Sequence, residues 1–252
     1  MIVLRGLRAG LLALSGAVVT LAQLNLPKDF WAKYTEVQWA SVVILALLIG
    51  LDTVHEFNYF IRVRQIQGYE QDLRAVLSAA ISGIVTATGV PWDGVAVRYY
   101  RLRGPAYRRR LVPVTAVMAG ADLEEARREI RKGAGLVGVA FREQEILAEE
   151  WNEFVRVATL QGRKAWEQRS EDARFGLSWG EVRSSLRADG MVASPTFASA
   201  NGKPDGCILV SGILNLAELK SDETRRVLDD LATVLDRLGP PPPGWWSAYE
   251  RR

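Results

Sequence analysis

The sequence predicts an α+β protein, with one antiparallel sheet and flanking helices, preceded by two transmembrane helices. Three observations predict it. Nearly all the membrane-grade sequence of the 252-residue chain lies before Leu51. Period-two or β-branched segments pair off as two hairpins, at residues 94–118 and 190–216. Amphipathic helices bracket them, one ending at Thr88 and one running over residues 221–238. Only antiparallel hairpins are visible, which places the helices on a face of one sheet.

The first uncharged run, residues 9–27, nearly spans a hydrocarbon core about 30 Å thick at about 1.5 Å per residue. The second, VQWASVVILALLIGL at residues 37–51, reaches full length with residues 52–60 or 31–36 at the interface, giving a span of about 37–57. Phe30, Trp31, Tyr34 and Trp39 form one aromatic belt, and Phe57, Tyr59 and Phe60 the other. The short connector makes residues 1–60 a hairpin. Arg5, Arg8, Arg62 and Arg64 flank it, while Lys28 and Lys33 in the connector are balanced by Asp29 and Glu36. The positive-inside rule then puts both termini in the cytoplasm, on an inner or plasma membrane. A signal peptide is the competing reading, with Thr20-Leu21-Ala22 as a cleavage-like site. Asp52, His55 and Glu56 read as interfacial.

Residues 61–89 continue as a connecting helix. Tyr59, Val63, Ile66, Glu70, Leu73, Leu77, Ala80 and Ile84 alternate spacings of four and three, a heptad seam. The closing helix repeats it at Thr224, Leu228, Leu231, Leu235 and Leu238. Val63, Ile66, Leu73, Leu77, Leu228, Leu231 and Leu235 are thus candidates for a homodimer seam. Packing on the domain's own core is the alternative for Leu73 to Ile84. Gly68 and Glu70 mark a hinge where the two halves meet.

Residues 94–102 alternate, with Val95, Val97 and Tyr99 on one face and Arg98 and Tyr100 on the other, a half-buried strand. The arginine-rich loop RLRGPAYRRR leads to a second strand at 111–118. Asp122 caps a helix through Leu123, Ala126 and Ile130. Gly133, Gly135 and Gly138 have a spacing like a dinucleotide fingerprint, but follow a helix rather than a strand, which discards that reading. Residues 154–161 and 164–172 are helical pieces. Strands at 190–198 and 206–216 flank an Asn201-Gly202 turn. Ser221 caps the last helix, Gly239 stops it, and residues 240–252 form a Pro-rich tail.

Over about residues 69–239 the chain resembles a GAF domain. The segments that carry the resemblance are the helix 73–88 with Val90-Pro91-Trp92-Asp93, the run Gly133 to Ala140 with Gln144-Glu145, the strand Gly190 to Pro195, the hairpin Gly202 to Val210, and the helix from Asp222-Glu223 to Leu238. The resemblance implies a ligand pocket on one sheet face, with the first and last helices on the other, often dimerising. It implies small-molecule binding, including cyclic nucleotides, or dimerisation alone. Of a cyclic-nucleotide signature, Asn215, Asp222 and Glu223 remain, but Leu216 replaces a Lys and the Phe is missing. Cys207 reads as core rather than a bilin attachment point. The methionine-sulfoxide reductases of this fold need more cysteines, which excludes that activity.

The net charge of +3 is too weak to argue for a nucleic-acid polymer. Cys207 is the one cysteine and His55 the one histidine, so neither a disulfide nor a His- or Cys-rich metal site is expected, and no cofactor is. Phe141, Trp166, Trp179, Ser194 and Phe197 are candidate ligand-binding residues, with core packing as the alternative for the aromatics. Arg101, Arg103, Arg108, Arg109 and Arg110 are candidates for contact with anionic lipid, against a solvated hairpin tip. Glu143, Glu145, Glu149, Glu150 and Glu153 read as a solvated helical face. With no nucleophile–base pairing and no P-loop, the chain is expected not to be an enzyme. The expected function is that of a membrane-anchored cytoplasmic sensor, relaying ligand binding or dimerisation to the membrane segment or a partner. The alternatives are a ligand-free dimerisation scaffold, and a membrane-disrupting effector switched by a nucleotide second messenger, like bacterial antiviral effectors.

Overall fold

A computed structural model of the chain describes residues 2–26, 33–105, 108–118, 129–185, 188–200 and 202–246, without the side chains of residues 2–9 and 55. Most of the helix expected from Asp122, the Asn201 half of the Asn-Gly turn and the belt residues Phe30 and Trp31 lie outside the described residues. The chain divides into two units, Met1–Ile66 with Pro243–Arg252, and Gln67–Pro242.

The first unit contains helix α1 (Ile2–Gln23) and the opening half of helix α2 (Thr35–Thr88). Covered residues on α1 are Leu12, Ser15, Gly16, Val18, Val19 and Ala22, one side of the helix with mostly small side chains. On α2 they are Gln38, Ser41, Leu45, Leu48 and Asp52, again at spacings of three and four, and then Val63 and Ile66. The remaining apolar side chains stand exposed, among them Leu47, Phe57 and Tyr59. Among the described residues, α2 alone is long and apolar enough to cross a membrane. The apolar part of α1, Gly10–Gln23, is shorter. At about 1.5 Å per residue it covers about 21 Å of a core about 30 Å thick. Helix α1 then stops, and Asn25 turns the chain with φ 49°. Residues 243–246 also belong here. Trp245 is buried, and a Cβ on Gly244 would lie 3.9 Å from an Ile66 methyl.

Helix α2 runs through Gly68 without interruption, and Glu70 is taken up by an ion pair with Arg74 at 2.7 Å. A Cβ on Gly68 would meet nothing within 4 Å. Gly68→Ala is therefore expected to stabilise by about 0.5–1 kcal/mol through lost unfolded-state entropy, read by thermal unfolding. A destabilised variant would show that the helix needs glycine's freedom at this point.

The second unit is built on one sheet. Its strands are β1 (Val95–Arg103), β2 (Arg110–Met118), β3 (Ile130–Arg131), β4 (Leu147–Glu149), β5 (Gly190–Ala198) and β6 (Lys203–Gly212). They lie in the order β3-β2-β1-β6-β5-β4, every neighbour antiparallel. The helices are α3 (Gly135–Glu143), α4 (Trp151–Gln168), α5 (Trp179–Arg183), α6 (Leu216–Leu219) and α7 (Asp222–Leu238). Ile130, expected in a helix, starts β3. The last strand ends at Gly212, before the capping box that opens α6 at Asn215. Gly162, at φ 78° and ψ 171°, kinks α4, which is why its sequence reads as two pieces. The acidic run is divided among α3, β4 and α4 rather than sharing a helical face.

Register sorts the sheet into two faces. Val97, Val210 and Val192 align across β1, β6 and β5 on one face, as do Tyr99, Ile208 and Ser194. Arg101 follows on the same face. Its guanidinium donates to the Gly239 carbonyl at 2.8 Å, just past α7, and pairs with Asp205 at 2.6 Å. The Tyr69 hydroxyl of α2 donates to the same carbonyl at 3.2 Å. Helices α2 and α7 thus cover this face. Leu73, Leu77, Leu228, Leu231 and Leu235 are buried within the monomer, so they fill its core and present no free dimer seam. Only Val63 and Ile66 of the expected seam stay half-exposed, in the first unit.

The opposite face carries Arg98, Tyr100, Leu209 and Ala193. Strand β1 is therefore buried on both sides, not half-buried. Arg98 is 2 % exposed, and donates to Ser211 Oγ at 2.7 Å and towards Met118 Sδ at 3.3 Å. Its head is thus taken out of water and hydrogen-bonded inside the sheet core.

Candidate functional site

Tyr100, Met191 and Leu209 form the floor of a cavity of about 960 Å³ on this second face. Leu136 and Val137 of α3, Trp151 of α4 and Leu177 wall it, and all of these are buried. The glycine triplet sets the wall. Gly133 N–H donates to Gly138 O at 2.8 Å, and Gly135 N–H to Phe175 O at 2.7 Å. A Cβ at Gly138 would stand 2.4 Å from Arg131 O. These glycines let three backbone segments meet closely, a packing role that their spacing alone does not reveal.

The mouth is charged. Arg110 pairs with Glu129 at 3.3 Å, and Arg131 with Glu181 at 3.2 Å. Trp151 Nε1–H donates to Ser185 Oγ at 3.3 Å, and that hydroxyl donates to Val182 O at 2.8 Å. Glu181 closes a capping box: Ser178 N–H and Oγ–H donate to its Oε2 at 2.8 and 2.7 Å, and Glu181 N–H donates back to Ser178 Oγ at 3.3 Å. Burial works to raise the Glu181 pKa, but the Ser178 donors and Arg131 outweigh it and hold the carboxyl below the usual range. A depressed folded-state pKa adds stability above the unfolded value of about 4.3, and that stability is lost as pH falls through the folded value. Glu181→Gln keeps the capping box. It is expected to flatten the loss of stability below about pH 4.5, measured by unfolding across pH. An unchanged profile would mean that other carboxylates carry the acid response.

The five candidate ligand residues do not line this cavity. Phe141 and Trp166 are buried in the core beside it, at 3 % and 0 % exposure. Trp166 donates to Leu177 O at 3.3 Å and lies 6.5 Å from the Trp179 ring. Ser194 is on the helix-covered face, and Phe197 is 39 % exposed beyond a register shift in β5. Of the candidate lipid-contact residues, Arg101 is held by Asp205 and Arg110 by Glu129, which removes Arg101 from the hairpin tip; Arg108 and Arg109 are exposed. Sequence reasoning passed over Glu181, although Ser178-x-x-Glu181 is a readable capping-box signal. Cys207 is buried in β6 with its thiol pKa pushed up by burial. Among the described residues no His, Cys, Asp and Glu group is placed to hold a metal ion.

No family model matches the sequence, and no curated protein matches it. Solved structures similar to the chain include a type II free methionine-R-sulfoxide reductase from Thermoplasma acidophilum, 18 % identical over 68 % of this chain and 93 % of that one, with a TM-score of 0.40. The GAF domain of an Acinetobacter phosphoenolpyruvate-protein phosphotransferase is 14 % identical over 71 % and 92 %, with a TM-score of 0.39. The cyanobacteriochrome receptor PixJ is 13 % identical over 68 % and 99 %, with a TM-score of 0.41. GAF domains are thus among the structures this helix-plus-antiparallel-sheet chain is similar to, and no residue role transfers from them at these identities and scores. The expectation of a non-enzymatic chain is corrected here. Free methionine-R-sulfoxide reductases are enzymes, and they stand among the similar structures beside sensor domains.

Proposed function

We propose that the chain is a membrane-anchored cytoplasmic sensor with a GAF-like domain, in which the cavity over Tyr100, Met191 and Leu209 takes a small molecule. The cavity carries the reading: an apolar floor with a few polar groups converging at the mouth is how ligand sites are built. The exposed apolar first half of α2 supports the anchor. Helix α2 continues from that half into the core of the second unit, so ligand-dependent shifts in the domain bear on a helix that also forms the anchor. A homodimer through Val63 and Ile66, and contact of Arg103, Arg108 and Arg109 with anionic headgroups, complete the proposal.

Two measurements test it. Alkaline carbonate washing is expected to leave the chain in the membrane pellet; release would end the anchoring reading. Immobilised full-length chain in detergent is expected to retain a small molecule from a cell extract, detected by mass spectrometry, and Met191→Trp is expected to lose it. Equal retention by both proteins would remove the cavity as the site.

A further inference from the structure

Resting on that reading of the cavity, we propose that its ligand is a zwitterion with an apolar body. Its acid group lies on Arg131 and its ammonium on Glu181. The first ground is charge balance. Two cations, Arg110 and Arg131, and two anions, Glu129 and Glu181, sum to zero at the mouth. A phosphate entering there meets a carboxylate for every guanidinium, and like charges brought together in a partly dry site are costly. That counts against a nucleotide.

The second ground is donor and acceptor capacity. A single Arg131 nitrogen, Nη2, serves both Glu181 oxygens at 3.2 Å. Among the described residues nothing accepts from Arg131 Nε or Nη1, so the guanidinium keeps an edge for a carboxylate. Glu181 Oε2 takes both Ser178 donors as well as Arg131, while Oε1 takes Arg131 alone. Oε1 therefore retains capacity for an ammonium. The acceptor for a cation and the donor for an anion are neighbours, which matches two opposite charges on adjacent atoms of one ligand. Ser184 and Ser185 do not compete, because their hydroxyls are turned onto backbone carbonyls. The capping box fixes Glu181 in advance, so little side-chain entropy is lost on binding.

The third ground is the body. Behind this pair the cavity is apolar and buried, with Trp151 and Met191 facing a space of about 960 Å³. A wholly apolar ligand would cover the mouth charges without pairing them; a zwitterion pairs both.

The test uses four probes on the full-length chain in detergent, read by calorimetry: L-phenylalanine, 3-phenylpropionate, 2-phenylethylamine and AMP. The zwitterion is expected to bind about tenfold tighter than either half-head, since each half-head leaves one charge of the Arg131–Glu181 pair without a ligand partner. Arg131→Gln is expected to erase its preference over 2-phenylethylamine, and Glu181→Gln its preference over 3-phenylpropionate, with melting temperatures kept near the parent's. Tighter binding of 3-phenylpropionate or AMP, or no binding of any probe, overturns the proposal. A small molecule retained by the parent but not by Met191→Trp would then leave the cavity standing as a site while the head-group assignment falls.

Discussion

Gly176→Ala is expected to cost more than about 3 kcal/mol, the largest effect of any single-methyl change near the cavity. The added Cβ would stand 2.1 Å from Gly133 O and 3.1 Å from Gly133 C, both backbone atoms that have no rotamer to escape into. Gly176 also sits at φ 60°, where an L side chain costs about 1–2 kcal/mol by itself. Relieving the contact pushes the Phe175–Gly176 segment off α3 and breaks the 2.7 Å hydrogen bond from Gly135 N–H to Phe175 O. Gly202→Ala is the control, because Gly202 has φ 62° but open space around it. It isolates the conformational part, about 1–2 kcal/mol. Denaturant unfolding of both variants measures the difference. Equal losses would mean that the segment yields freely and that the close approach is not required.

Trp166→Ala is expected to lose about 3–5 kcal/mol. Its indole is fully buried, meets Phe154 edge-on at 5.7 Å and donates to Leu177 O at 3.3 Å. Truncation leaves a large void and an unsatisfied carbonyl in the segment that walls the cavity. Trp166→Phe keeps most of the volume and should recover more than half of the loss. Leu160→Ala, at a site 73 % exposed on the same helix, should change stability by less than about 0.5 kcal/mol. A small effect at Trp166 would show that α4 repacks without it.

Much of the frame was legible in the sequence. The hairpin strands announced themselves through β-branched runs such as LVPVTAV, and α7 through Ser221, its acidic first turn and Gly239. Less legible was β1, because Arg98 and Tyr100 look like a wet face, whereas Arg98 is buried against Ser211 and Met118 and Tyr100 packs in the core with α3 and α4. The cavity was missed for a different reason. Its floor and mouth draw on β1, β2, β3, α4, α5, β5 and β6, and no local spacing joins Tyr100 to Glu181 or Arg131 to Leu209. Large aromatics drew attention instead, but Phe141 and Trp166 fill space rather than line it. Periodicity does not say which partner satisfies the α2 seam: Leu73, Leu77 and Ile84 are buried in the domain's own core, while Val63 and Ile66 stay half-exposed.

Cys207 is the chain's one cysteine, and it lies on β6, hydrogen-bonded between β1 and β5 in the middle of the sheet. Its sulfur is fully buried in the core cluster with Tyr100, Val137, Phe141 and Leu209, so it is reached only when that core opens. A thiol reagent therefore times the opening of that core, one label per molecule. When reclosing outpaces labelling, the rate reports the open fraction, so the logarithm of its change between variants is their stability difference. A ligand seated over Leu209 and Met191 would slow that clock in proportion to its occupancy.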